Sequence, residues 1–283
     1  MMPSTKKETS KPESALEWLL RCQRKSSEKE RPCDPASAGF AFWRLGTSGI
    51  EFIDLAWKHH EAEGFPPVVS VEGTVGKTWT IISLAARFLV STRLSRFDSH
   101  NDGDSTMPHR LPLVVILDSS HDVTVPKVSR AILSTLLRQT EIPEHDIEKE
   151  FELCARRIHI ATVDDLLGWI PVLEGLKCTI LQQSVDEVPP ILLLWDRFLS
   201  ESRDISARKE VERQIAGLLD EFAGNVALVL TVTGEDATCG ISKLESHKVE
   251  RVRLERQGEK DYVAIVHGHR IPFALSAGGI QCG

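Results

Sequence analysis

VVSVEGTVGKTWTIISLAARFLVS, residues 68–91, decides how this chain folds. The run PPVVSVEG (66–73) is short and β-rich, whereas the segment from Trp79 is apolar on nearly every side, with Ile81, Ile82, Leu84, Phe88 and Leu89. Gly76-Lys77-Thr78 stands between them, so the order is strand, loop, helix. A helix apolar around its whole circumference is predicted to lie buried against a sheet.

Downstream, RLSRFDSHNDGDSTMPHRLP (93–112) reads as a polar, mobile loop. LVVILD then forms a continuous apolar run ending in Asp118, as expected of a buried parallel strand. Val128, Ile132, Leu133, Leu136 and Leu137 recur at helical spacing. Strand RIHIAT, helix DDLLGWIPVLEGL, strand ILLLWD, helix KEVERQIAGLLDEFAG and strand VALVLTV follow. Five strands alternating with helices predict an α/β fold, a mainly parallel sheet with helices on both faces and right-handed crossovers. VERVRLERQ, DYVAIVHG and RIPFALSAG alternate with a period of two and predict an antiparallel C-terminal edge.

Upstream, residues 1–38 are polar and charged and read as a flexible arm, with one amphipathic piece, Ala15–Leu20, carrying Trp18. That piece suits folding back onto the core as well as docking a partner. The remaining residues, 39–283, form one core. At 283 residues and 41% hydrophobic content the chain can bury one sizeable core. No apolar run approaches the roughly 18 residues of a membrane span, and a soluble intracellular protein is expected. The six cysteines lack metal-ligand spacing, and neither His59-His60 nor His267-Gly268-His269 has partners to complete a tetrahedral set. A net charge of −7 argues against a broad basic face gripping duplex DNA.

The loop carries the chemistry. Val71 to Thr78 follows the phosphate-binding pattern GxxxxGK[ST] except at its first position, where Val71 replaces glycine. Between a strand and a helix N-terminus, the backbone N–H groups of Gly73, Thr74, Val75 and Gly76 can wrap phosphates. Lys77 would reach the terminal phosphates, and the Thr78 hydroxyl would ligate magnesium. A second magnesium ligand is expected at the end of a buried strand. Asp196 is that residue, with Asp118 as runner-up or as a cap for its own turn. The branched Val71 predicts a weakened site.

With these elements in order, the chain resembles the eukaryotic recombinase paralogues of the RecA superfamily, most closely the small branch named for X-ray-repair cross-complementation group two. The resemblance runs from about Trp43 to the C-terminus. It is carried by RLGTSGIEFIDLAWK, VEGTVGKT, LVVILDSSHDV, RIHIATVDDLLGWIPVLE, ILLLWDRF, VALVLTVTG, RVRLER and FALSAGGI. It implies a RecA-like P-loop NTPase core, ATP and magnesium as cofactors, and nuclear double-strand-break repair by homologous recombination. It also implies assembly with other recombinase paralogues and contact with single-stranded or branched DNA.

Active recombinases of that superfamily carry a glutamate after the strand matching LVVILD, where Ser120 stands here, and a glutamine after the strand matching VALVLTV, where Thr233 stands. Serine cannot serve as a carboxylate base. Together with Val71, these departures predict a site that binds ATP and turns it over slowly or not at all. The matching DNA-contacting loops hold Arg197, Arg203, Arg208, Lys209, Lys243, His247 and Lys248 among Glu201, Asp204, Glu235, Asp236 and Glu245. Such mixed charge suits a solvated loop. The competing expectation is an active P-loop DNA-dependent ATPase or kinase in which Asp118 supplies the carboxylate.

Overall fold

The computed structural model describes residues 48–61, 68–99, 113–139, 142–181, 189–198, 204–222, 225–232, 244, 249–258, 261–276 and 278–282. The expected N-terminal arm with Trp18, the side chains of His59 and His60, Thr233, and Arg203, Lys243, His247 and Lys248 of the expected DNA-contacting loops lie outside the described residues.

Among the described residues, nine strands form one sheet: β1 (Val68–Gly73), β2 (Leu113–Asp118), β3 (Ile158–Thr162), β4 (Ile191–Asp196), β5 (Val226–Thr231), β6 (Glu250–Arg256), β7 (Tyr262–Val266), β8 (His269–Ser276) and β9 (Gly279–Cys282). Their spatial order is β3-β2-β4-β5-β1-β6-β7-β8-β9. β6 joins β1 in parallel, and only the pairs from β6 to β9 are antiparallel. The expected antiparallel edge is therefore attached through a parallel junction.

Side chains alternate between two cores. Val69, Val71, Val114, Ile116, Leu192, Leu194 and Val229 face helices α1 (Glu51–Glu61), α2 (Lys77–Ser99), α3 (Val125–Leu136) and α4 (Ile147–Ala155). Val115, Leu117, Leu193, Trp195, Leu228 and Leu230 face α5 (Trp169–Leu181) and α6 (Ile205–Glu221) on the other side. The parallel strands read as unbroken apolar runs because both faces are covered. β6 and β8, covered on one face, alternate buried and exposed positions. Handedness sorts the helices. The steps β1→β2→β3 move one way along the sheet through α2, α3 and α4, and β3→β4→β5 move back through α5 and α6, so right-handed crossovers place the two sets on opposite faces.

Several local expectations are corrected. Residues 93–99 continue α2 rather than opening a loop. Arg93-Leu94-Ser95-Arg96-Phe97-Asp98 contains no proline or glycine to stop the hydrogen-bonded ladder. α5 starts at Trp169, not Asp164, because Asp165 turns the chain by accepting from Gly168 N–H at 2.6 Å, and Pro171 fits only a first helical turn. α6 starts earlier than expected, where the Asp204 carboxylate caps Ser206 and Ala207 N–H at 2.9 and 3.0 Å. On α3, Val128, Ala131, Ile132 and Leu136 are buried, whereas Leu133 and Leu137 are exposed. His267 and Gly268 form the β7–β8 turn, with φ of 49° and 80°, the two-residue hairpin geometry that demands positive φ twice.

Arg87, on α2, holds the ends of the fold together: its guanidinium donates to the carbonyls of Gly49 and Ile280. Burial pushes its pKa below the ordinary arginine value, so the charge is held at some desolvation cost and offset by those carbonyls. Arg87→Ala is expected to cost about 1–3 kcal/mol, the net worth of hydrogen bonds to a charged group, read as a lower urea midpoint at unchanged m-value. An unchanged midpoint would mean that neither contact stabilises the fold. No helix among the described residues is long and apolar enough to cross a membrane.

Candidate functional site

The crevice lies over the C-terminal ends of β1, β5 and β4. β2 and β4 are neighbours whose following helices depart to opposite faces, and α2 leaves β1 toward the same face as α3. Chains splaying apart above a parallel sheet leave a cleft at such a switch point. A cavity of about 390 Å³ opens there, lined by Thr74, Val75, Gly76, Lys77, Thr78, Trp79, Ile82, Asp122, Lys127 and Arg197.

The loop's shape follows from its glycines. Gly73 has φ of 123°, and a Cβ at that position would stand 2.2 Å from the carbonyl oxygen of Leu254 on β6. Gly76 has φ of 77° and delivers the chain into the first turn of α2. That turn contains no acidic residue, so the partial positive charge of its N–H groups is not neutralised locally. Val71, standing where the pattern expects glycine, is in extended backbone inside β1, paired with Thr231 and Val252, and its side chain belongs to the apolar core. The conformation that needs glycine occurs two residues later, at Gly73. The expected weakening of the loop by Val71 therefore loses its geometric basis.

Three distant segments converge behind the loop. The Thr78 hydroxyl donates to Asp196 Oδ2 at 2.8 Å, and the Thr231 hydroxyl donates to Asp196 Oδ1 at 2.7 Å. The Ser120 hydroxyl lies 3.0 Å from Asp196 Oδ2 and 2.8 Å from Asp118 Oδ1. Asp196 and Asp118 are fully buried register partners at the ends of adjacent strands. Asp118 is committed to its own turn: Oδ1 accepts from Ser120 N–H and Oδ2 from Val123 N–H, both at 2.9 Å. Of the two carboxylates, Asp196 is the one in contact with Thr78.

Lys77 donates from Nζ to the Val232 carbonyl oxygen at 2.9 Å, at the end of β5. Its pKa is lowered, first by burial and further by nearby Arg197, with Asp196 opposing. Arg197 follows Asp196 directly, and its guanidinium pairs with Asp122 at 2.8 Å. Lys127, in the first turn of α3, donates to the Asp122 carbonyl oxygen at 2.8 Å.

The expected residues Thr74, Val75, Gly76, Lys77, Thr78 and Asp196 are thus gathered in one place, with Gly73 supporting the loop against β6 instead of lining the cavity. Trp79 and Lys127 were not singled out by sequence, and Ile82 was read only as part of the buried helix. For Lys127 a signal existed: it opens a helix just past the C-terminal end of a parallel strand. The donor set fits a magnesium-bound polyphosphate. Lysine and arginine face the cavity beside a helix N-terminus, and hydroxyl and carboxylate oxygens are the hard ligands magnesium takes. No protein-family model matches this chain, and no curated protein matches it either.

Proposed function

We propose that this chain is a RecA-like, ATP-binding subunit of a homologous-recombination repair assembly, a recombinase paralogue that works in the nucleus with related subunits on single-stranded or branched DNA. The observation that carries the nucleotide part is the contact between Thr78 and Asp196, 118 positions apart and 2.8 Å from oxygen to oxygen, behind a glycine-bounded loop. The buried Asp196 carboxylate already accepts from the Thr231 hydroxyl, so its burial does not by itself call for a threonine from a helix two strands away. Shared ligation of a magnesium ion supplies a reason. The repair assignment rests on the resemblance in motif order, and the parallel sheet with a C-terminal antiparallel extension is compatible with it.

In this reading Gly76 and the first turn of α2 seat the phosphates and Lys77 neutralises their charge. Thr78 and Asp196 would hold the magnesium, which would supply neutralisation of phosphate charge. Turnover is slow for a geometric reason. The active recombinases that the chain resembles orient the attacking water with a carboxylate, and Ser120 has none to offer. Asp118, the substitute required by the active-ATPase alternative, spends both oxygens on Ser120 and Val123. ATP then acts as an assembly ligand.

Thermal unfolding of the full chain with and without MgATP tests this directly. At 100 times the dissociation constant, binding to the native state alone adds about 2.7 kcal/mol, a rise of roughly 5–10 °C for a domain of this size. Phosphate release in the same samples, with and without single-stranded DNA, is expected to stay at background. An unchanged melting temperature would remove the nucleotide, and brisk DNA-stimulated release would restore the active-enzyme alternative.

A further inference from the structure

The mouth of the cavity contains a feature that neither the loop nor the magnesium ligands require. Arg197 is a non-glycine residue in left-handed conformation, φ 56°, with its backbone N–H fixed by the Thr231 hydroxyl at 2.7 Å. A side chain in this region costs energy, and such strain persists where surrounding structure imposes it, commonly at ligand sites. The conformation sends the guanidinium to the cavity wall, where Asp122 takes it at 2.8 Å. Both side chains remain partly open to the cavity, 39% and 45% exposed. An ion pair so exposed is held weakly, at about 0–1 kcal/mol, and exchanges readily for a better partner.

The cavity is otherwise cationic. Among the described residues, Lys77, Lys127 and Arg197 line it against one lining carboxylate, Asp122. Arg197 is also close enough to Lys77 to disfavour that lysine's charge. Two neighbouring cations gain when an anion enters between them. A terminal phosphate presents oxygens that a planar guanidinium can bind bidentately, and this pairing is stronger than the exposed one with Asp122. Arg197 follows the aspartate in contact with Thr78 and lines the cavity together with Lys77, the lysine expected to reach the terminal phosphates.

We propose that Arg197 is a terminal-phosphate sensor: it rests on Asp122, and transfers its guanidinium to the last phosphate when a nucleoside triphosphate, but not a diphosphate, occupies the cavity. This rests on the nucleotide reading above and adds discrimination between the two nucleotides. Asp122 is the competing anion that sets how readily the transfer occurs. Strain at Arg197 aims its side chain at the cavity, and the Thr231 hydroxyl couples it to Asp196, since that hydroxyl donates to Asp196 Oδ1 while accepting from Arg197 N–H.

Calorimetric titration of the full chain with MgATP and with MgADP tests the sensor. In Arg197→Gln the MgATP dissociation constant should rise about 10-fold or more, the worth of one charge-assisted contact, while that for MgADP stays within about two-fold. Asp122→Asn, which frees Arg197, should tighten MgATP by several-fold and leave MgADP unchanged. Arg197→Gly separates sensing from folding: glycine relieves the positive φ, so the ligand-free protein should unfold no earlier than wild type and still lose the preference for MgATP. Equal weakening of both nucleotides in Arg197→Gln, or an unaltered preference in Arg197→Gly, overturns the sensor while nucleotide binding itself stands. Failure of the wild type to bind either nucleotide overturns both.

Discussion

Gly73→Ala should be the most damaging single substitution in the described core, lowering stability by about 3 kcal/mol or more, of the 5–15 kcal/mol a domain ordinarily has. Two costs coincide at this position. Its φ of 123° lies where L side chains are rarely found, a strain of about 1–3 kcal/mol. The added methyl would also meet the Leu254 carbonyl oxygen at 2.2 Å. That oxygen belongs to backbone, not to a movable side chain, so relief requires β1 and β6 to part at the parallel junction between the two halves of the sheet. At roughly 2–4 °C per kcal/mol, a fall of about 6–12 °C in melting temperature is expected. Gly217→Ala is the matched control. It lies inside α6, where an added methyl would have nothing within 4 Å, and the change should stabilise by about 0.5–1 kcal/mol. Equal stability of the two variants would show that β1 does not pack on β6 in the register of Gly73 with Leu254.

Lys77→Ala should abolish the thermal stabilisation by MgATP while leaving the ligand-free protein within about 3 °C of wild type. Among the described residues Lys77 donates to Val232 O, and its charge is disfavoured by burial, so removing it costs the fold little. Toward phosphates the same charge is decisive. Loss of a charge-assisted contact and of neutralisation together should weaken MgATP by about two orders of magnitude.

The lowered pKa of Lys77 adds a pH signature. Phosphate raises that pKa on binding, so affinity is greatest where free Lys77 is already protonated. It falls as pH rises through the lowered free-state value toward the bound-state one, with proton uptake on binding in that interval. In folding the sign is opposite: a depressed lysine pKa makes the fold more stable as pH rises through the folded value. Calorimetry in buffers of different ionisation enthalpy across the alkaline range reads the proton. A wild-type MgATP shift that survives intact in Lys77→Ala would place any nucleotide elsewhere.

The elements most legible in sequence were those whose surroundings are uniform. β2, β4 and β5 are buried on both faces, and so appear as LVVILD, ILLLWD and VALVLT with no polar interruption before the last residue. The middle of α2, residues 81–90, sits against the sheet and is buried except at Arg87. Where capping decides, reading was less exact: Asp204 and Asp165 set the starts of α6 and α5 through bonds that propensity does not weigh. Helical spacing put Leu133 and Leu137 in one stripe with Val128, Ile132 and Leu136, yet both are exposed, because periodicity names a stripe without saying how much of its width a neighbour covers.

By itself the amino-acid sequence determined the α/β alternation, the loop between β1 and α2, and the candidates Lys77, Thr78 and Asp196. These are local matters: hydrophobic period, glycine placement, and a carboxylate closing an apolar run. Tertiary structure alone decided that Asp196 and not Asp118 meets Thr78, that Val71 lies in extended strand while Gly73 takes the positive φ against β6, and that Arg197 and Asp122 pair at the cavity wall. Each depends on which strands lie side by side. Strand order is set by crossover handedness and burial summed over the whole sheet, and no single stretch of chain contains that information.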